Sequence, residues 1–344
     1  MIELQHDGLE FSFPEVHPSA RLRVEFQRTL RIPDDGRTYP LPPGLGCFPL
    51  RHVDDFAERV PASWVQHGGV MLPMYQSEAM WLNFAGTTCR ERGVVYPFAI
   101  RVATGKIDAV TGKSWSAGLA RAPQNYMVHP GQPWLDGYVV ERGSIRQFVA
   151  MPLGAGYTAE EQLTGVAEHG GVQLAVFPMK REVFERRFPV SMARDRVGMV
   201  CGSMEFSRVL GAPPMTGEMG LAPGGRMKQA IYEDRFDLSD WDTTNTSRCF
   251  VHLSNSLVWR AITGAEPPTA PPTSAEYARA GLPWFDYYDD RYRPVEGSGV
   301  LERLKSVLHL GRERGQVPLP ENESVVPGRV VPLGRSGRVR EGAF

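Results

Sequence analysis

Histidine, cysteine and carboxylate side chains are where this chain could do chemistry, and three groupings stand out by their spacing. The string His67-Gly68-Gly69-Val70 returns as His169-Gly170-Gly171-Val172. Phe48-Pro49-Leu50 lies upstream of the first copy and Met151-Pro152-Leu153 upstream of the second, and Pro73-Met74 and Pro178-Met179 close them. The copies lie about 100 residues apart, far beyond the ~20–50 of solenoid repeats, which points to two related halves and not an array. A pseudo-dyad between such halves would bring His67 and His169 to equivalent places facing one small polar ligand or a metal, since pockets favour such interfaces. The same glycines also suit an ordinary tight turn, where they supply positive φ.

The second grouping is a candidate nucleophile. The apolar run Val197-Gly198-Met199-Val200 ends at Cys201-Gly202, and Ser203–Leu210 could open a helix. A thiol at a helix N-terminus has a lowered pKa, because the amide dipoles stabilise its thiolate, and His129 or His169 could serve it as base. A buried cysteine at a tight turn fits the same residues. The third grouping pairs tryptophan with aspartate, in Trp134-Leu135-Asp136, in Asp240-Trp241-Asp242 and in Trp284-Phe285-Asp286. Aromatic faces beside carboxylates suit sugars and cations. Asp136 and Asp286 are the candidate acid/base pair, and Trp134 and Trp284 the candidate ligand platforms. Loop anchoring by tryptophan, with aspartate capping a turn, has the same signature.

Other chemistries are disfavoured. A phosphate loop needs glycine where Ile107 stands in Ile107-Asp108-Ala109-Val110-Thr111-Gly112-Lys113-Ser114, so Gly105-Lys106 and Gly112-Lys113 read as two turns. Cys249 and His252 resemble a metal-ligand pair, but three positions apart on a strand they point to opposite faces. No Gly-x-Ser-x-Gly elbow is present.

The elements that must position these residues are mostly strands. Arg21–Ile32 alternates apolar and polar residues, and Val70–Tyr75, Met80–Phe84, Tyr96–Ala103, Ile145–Met151, Val172–Phe177 and Cys249–Ser254 are further strand candidates. Helices are fewer: His52–Gln66 interrupted near Pro61, a short one opened by a Thr158/Glu161 capping box, Arg181–Phe188, Ser274–Ala280, and Val300–Arg314 with its apolar stripe. Runs of strands predict an α+β fold: a largely antiparallel, β-rich body built from two pseudo-repeats, with a C-terminal arm. The expected parts are a first half over 1–125, a second over 126–264, a Pro-rich linker and wrapping arm with one helix over 265–324, and a disordered basic tail over 325–344.

Bulk properties narrow the function classes. The chain has 344 residues, 42% of them hydrophobic, and a net charge of −1 from 38 basic and 39 acidic side chains. Nothing in that balance points to nucleic acid, and no apolar run approaches the ~20 residues of a membrane span. The N-terminus lacks a signal-peptide pattern, and four scattered cysteines make no disulfide framework, so a cytoplasmic location with reduced thiols is expected.

Gly281-Leu282-Pro283-Trp284-Phe285-Asp286-Tyr287-Tyr288-Asp289 resembles a stretch shared by a family of uncharacterised microbial proteins, as do Gln132–Gly137 and Pro318–Glu323. The resemblance runs over much of the chain and brings neither an activity nor catalytic residues with it. The reading that follows is a soluble cytoplasmic binding or interaction protein holding a small polar ligand between its halves, or acting through a protein partner or as a homo-oligomer. The alternative is an enzyme using Cys201 or the carboxylates on a polar, sugar-like substrate. The residues leave any cofactor unassigned and point to no metal ligand set.

Overall fold

In Arg21–Thr29 the alternation buries Leu22, Val24 and Phe26 completely and leaves Arg23, Glu25 and Gln27 on the opposite face. This follows from the period of two along a strand, and each such apolar side chain contributes about 1.5–3 kcal/mol by leaving water. The computed structural model describes residues 1–190, 217–287, 289 and 291–333. Its principal strands are β1 (Arg21–Thr29), β2 (Val70–Met74), β3 (Ala79–Gly86), β4 (Phe98–Thr104), β5 (Ser144–Pro152), β6 (Val172–Pro178), β7 (Glu218–Lys228), β8 (Ser247–Asn255), β9 (Trp284–Asp286) and β10 (Val330–Pro332). Short helices accompany them: α1 (Ala62–His67), α2 (Ala159–Thr164), α3 (Arg181–Arg187), α4 (Ser256–Thr263), α5 (Ser274–Arg279), α6 (Gly299–Glu302) and α7 (Val307–Glu313).

The sheet is large and mostly antiparallel. β1 pairs with β3, β3 with β5, β5 with β7, and β7 with β8. β8 continues the sheet to β6, and β6 to β4. β2 lies parallel to β8, Val70 opposite Val251. Strands from the first and second parts of the chain thus share one sheet, and one hydrophobic cluster runs from Phe11 and Phe26 through Phe98 and Val176 to Trp241 and Trp284. No helix among the described residues is long and apolar enough to cross a membrane.

Local rules account for the helix ends. Thr158 accepts from the Glu161 amide at 3.2 Å, and the Glu161 carboxylate accepts from the Thr158 amide at 3.1 Å, the reciprocal capping expected. The apolar stripe over Val300–Arg314 does not make one helix. It breaks into α6 and α7, because the Ser306 side chain accepts from the His309 amide and starts a new N-terminus, while Leu301 and Leu304 on one side of the break and Leu308 on the other all reach the core.

The arm is strapped to the body. Trp284 is fully buried between Tyr39 and Tyr277, with ring centroids 6.2 and 6.0 Å away. The chain from Val325 is not a solvated tail throughout. Val325 is buried, and β10 pairs in parallel with β9, because β9 offers unpaired backbone groups and the Trp284 amide finds the Arg329 carbonyl at 2.8 Å. The expected basic tail beyond Leu333 lies outside the described residues.

The loop after β4 curls around its own carboxylate. Gly105 and Lys106 take φ of +53° and +57°, a two-residue hairpin turn that sets Thr104 opposite Ile107. The Asp108 carboxylate then accepts from the amides of Val110 and Thr111 and from the Thr111 hydroxyl, and pairs with Arg101 at 3.0 Å. These two amides are occupied within the loop and so are not presented to a phosphate.

Candidate functional site

Both His-Gly-Gly turns arrive at the same stretch of β8. Val70 and Val172 flank Val251 from either side, and β2 and β6 leave it in opposite directions. A Cβ on Gly69 would stand 2.1 Å from the Phe250 carbonyl oxygen, and one on Gly171 would stand 2.6 Å from that of Val251. The absence of a side chain at these positions is what lets the turns close on the strand. The His67 and His169 rings come together edge to face, centroids 6.2 Å apart.

What surrounds them is a stack of rings. Phe250 and His252 share one face of β8, and Trp64 and His67, three apart on α1, lie over them: His67 on Phe250 at 4.8 Å, Trp64 on His252 at 4.6 Å. His252 is buried and contacts the Gly68 carbonyl through Nε2 at 3.0 Å, and burial drives its pKa down to about 4, so the ring is neutral and donates. The second turn is held differently. The buried Glu160 carboxylate accepts from the amides of Glu168, His169 and Gly170. His67 stays exposed, whereas His169 is half-buried with its Nδ1 unpartnered among the described residues. No three His, Cys, Asp or Glu side chains among the described residues are placed to hold a metal ion.

The Trp/Asp pairs do not form one site. Asp136 is buried; its amide donates to Gln229 Oε1 at 3.0 Å and its carboxyl accepts from Gln229 Nε2 at 2.7 Å. Burial pushes that carboxyl up to about 7, yet it lines no described pocket. Asp286 is partly exposed and stands 3.6 Å from Lys228. Trp284 is spent on the core. Trp134 is half-exposed, packed between Trp81 at 6.4 Å and Tyr287 at 4.7 Å. His129, a candidate base, is buried with Nε2 accepting from the Gly86 amide at 2.9 Å, and its pKa is driven down to about 4 by burial. Cys201 lies outside the described residues. Cys249 is a poor nucleophile, since burial pushes its thiol up to about 12.

A cleft of about 710 Å³ opens beside Trp134, where the first part of the chain, the second part and the arm meet. Two strand-like segments run antiparallel to make one wall: the Glu233 amide donates to the Arg293 carbonyl and the Val295 amide to Ile231. The wall carries aromatic rings, with Tyr232 and Tyr292 5.2 Å apart, and Tyr287, Phe236 and Phe188 complete the lining. The Asp289 carboxylate grips the Arg291 guanidinium through two hydrogen bonds, and Glu233 pairs with Arg293 at 3.2 Å. Arg235 differs from both. Its guanidinium lies 4.2 Å over the Tyr292 ring and donates to the Tyr292 hydroxyl at 3.2 Å, and it has no carboxylate within 4 Å among the described residues.

Of the seven site residues expected from the sequence, none of the six that are described lines this cleft; Trp134 reaches it through Tyr287. Tyr287 and Asp289 sit inside the aromatic and acidic stretch that had drawn attention to Trp284 and Asp286. Tyr232, Arg235 and Tyr292 carried no sequence signal, since their meeting depends on a bridge between segments about 60 residues apart, which no local pattern encodes. Comparison with protein-family models, with curated proteins and with solved structures finds no match to this chain.

Proposed function

We propose that this chain is a binding protein for a small, sugar-like ligand bearing an acidic group, taken up in the aromatic cleft. The observation that carries this reading is Arg235. It is a guanidinium with no carboxylate partner among the described residues, held over the Tyr292 ring at the edge of a cleft whose volume of about 710 Å³ falls in the range of small-molecule sites. A stacked guanidinium is pre-oriented, so it loses little freedom when it grips a carboxylate or phosphate with two parallel hydrogen bonds. Tyrosine rings supply faces against which the apolar side of a sugar can rest.

Catalysis has less support, because the two carboxylates that line the cleft, Glu233 and Asp289, are each tied to an arginine. We also read the two His-Gly-Gly strings as marks of related halves. Their approach to Val251 from either side supports this, although the elements that follow differ, strand β3 after β2 and helix α3 after β6. A cytoplasmic setting belongs to the same proposal.

The test is calorimetric titration with neutral sugars, uronic acids and sugar phosphates. Saturable binding of the acidic sugars is expected, weakened about ten- to a hundredfold by Arg235→Ala, the usual worth of a charge-assisted hydrogen bond. Binding of neutral sugars alone, or acidic sugars held equally well by the variant, would overturn the assignment.

A further inference from the structure

A second, smaller pocket of about 80 Å³ lies where the arm crosses the body. The body contributes Arg31 and Ser77, and the arm contributes Arg312, Gln316 and Asn322. No carboxylate among the described residues lines it.

Arg31 is only 3% exposed, yet its guanidinium is mostly unused. Nη2 donates to Asn322 Oδ1 at 3.2 Å, while Nε and Nη1 are buried with no partner among the described residues. Buried donors of a charged group are costly to leave unmade and call for an explanation. Ser77 adds an independent one. It holds a φ of +69°, unusual for a residue other than glycine, and among the described residues its buried hydroxyl meets only the Met151 sulfur at 3.8 Å, a weak acceptor. Strained backbone of this kind gathers at ligand sites. Arg312 is exposed and has no ion pair among the described residues. Of the nearby acids, Asp34 stands 3.9 Å from Arg146, and Glu321, which acts on Arg31 through space, makes no ion pair with it within 4 Å and has its Oε2 buried without a hydrogen-bond partner among the described residues.

We propose that this pocket binds a small oxyanion, either free phosphate or sulfate or the carboxylate of a small metabolite. Arg31, Ser77 and Arg312 supply the donors, and the bound ion ties arm to body. The volume admits a few waters or one such ion and is too small for a sugar ring, so this site is separate from the cleft.

The experiment is thermal denaturation and calorimetry of the full chain with sodium phosphate, sulfate or acetate, against sodium chloride at matched ionic strength. A saturable rise in Tm with an oxyanion and not with chloride is expected. A stronger response to phosphate and sulfate assigns a tetrahedral ion, and one to acetate assigns a carboxylate. Arg312→Ala, which alters only an exposed side chain, should weaken the response about tenfold, the worth of one charge-assisted contact. Glu321→Gln removes the larger of the two carboxylate charges, Glu321 and Asp34, that act on Arg31, and should tighten binding severalfold. If Glu321 is instead the resting partner of Arg31, that variant loses stability and gains no affinity, and the proposal fails. A response equal to that in chloride, or one unchanged in Arg312→Ala, means an adventitious ion only and overturns it as well. Arg235→Ala should leave the oxyanion response intact, and Arg312→Ala should leave sugar binding intact, so the two sites are separable.

Discussion

The His-Gly-Gly turns and the aromatic cleft gather the same kinds of side chain and use them in opposite ways. At the turns, His252 donates a hydrogen bond to the Gly68 carbonyl, Glu160 accepts from three amides, and Trp64 and Phe250 stack on the histidines. The buried polar groups there, His252 and Glu160, are spent on backbone that the turn itself leaves open. In the cleft, Tyr287, Tyr292 and Arg235 line the open space, and Arg235 has no carboxylate within 4 Å among the described residues. Polar groups turned inward stabilise the fold, and polar groups left over in a concavity bind something else.

Stability measurements distinguish the two regions. Gly69→Ala should cost roughly 4 kcal/mol or more, since φ is +87° and the new Cβ would collide with the Phe250 carbonyl, whereas Gly68→Ala, with open space around it, should cost only about 1–2 kcal/mol. Equal urea midpoints for the two variants would remove the structural reading of the turn.

Next in size is a pH effect. His129 and His252 are both lowered from 6.5 to about 4 by burial. Between those values the unfolded chain binds protons that the folded chain does not, so stability falls as the pH drops through that window, by up to about 3 kcal/mol per histidine. His252→Asn should flatten the acid limb of a denaturation series measured from pH 7 to pH 4; an unchanged limb would show that the ring titrates freely.

Asp136 works with the opposite sign. Its carboxyl is raised from 3.8 to about 7, so the folded chain keeps a proton that the unfolded chain has released, and stability declines as the pH rises through that range. Asp136→Asn should therefore gain about 1–3 kcal/mol at pH 8 and little at pH 4. A loss at pH 8 would mean that the charged form does work in the fold. Smallest of all, Arg235→Ala should move stability by less than about 0.5 kcal/mol, as exposed side chains do, while abolishing most ligand affinity. A large drop in Tm would place Arg235 with the inward-facing class and erase the contrast.

Much of this was legible in the residues, and particular cases show why. Alternation in Arg21–Thr29, the Thr158/Glu161 cap and the hairpin at Gly105-Lys106 all depend on neighbours within a few positions, which a sequence displays directly. Val300–Arg314 misled because an apolar stripe reports which side is buried and says nothing of a serine restarting the helix. The role of Trp284 was open between ligand platform and anchor, because the two differ only in what packs around the ring.

The residues alone determined the strands, the turns and the conformational need for glycine after His67 and His169, because φ, ψ and side-chain period are local properties. Only the tertiary structure decided that those turns meet across Val251, that Asp136 is sealed away, and that Tyr232, Arg235 and Tyr292 share a wall. Which polar groups are spent and which remain free depends on segments brought together from far apart in the chain, and that pairing is written in the packed core and not in any one stretch.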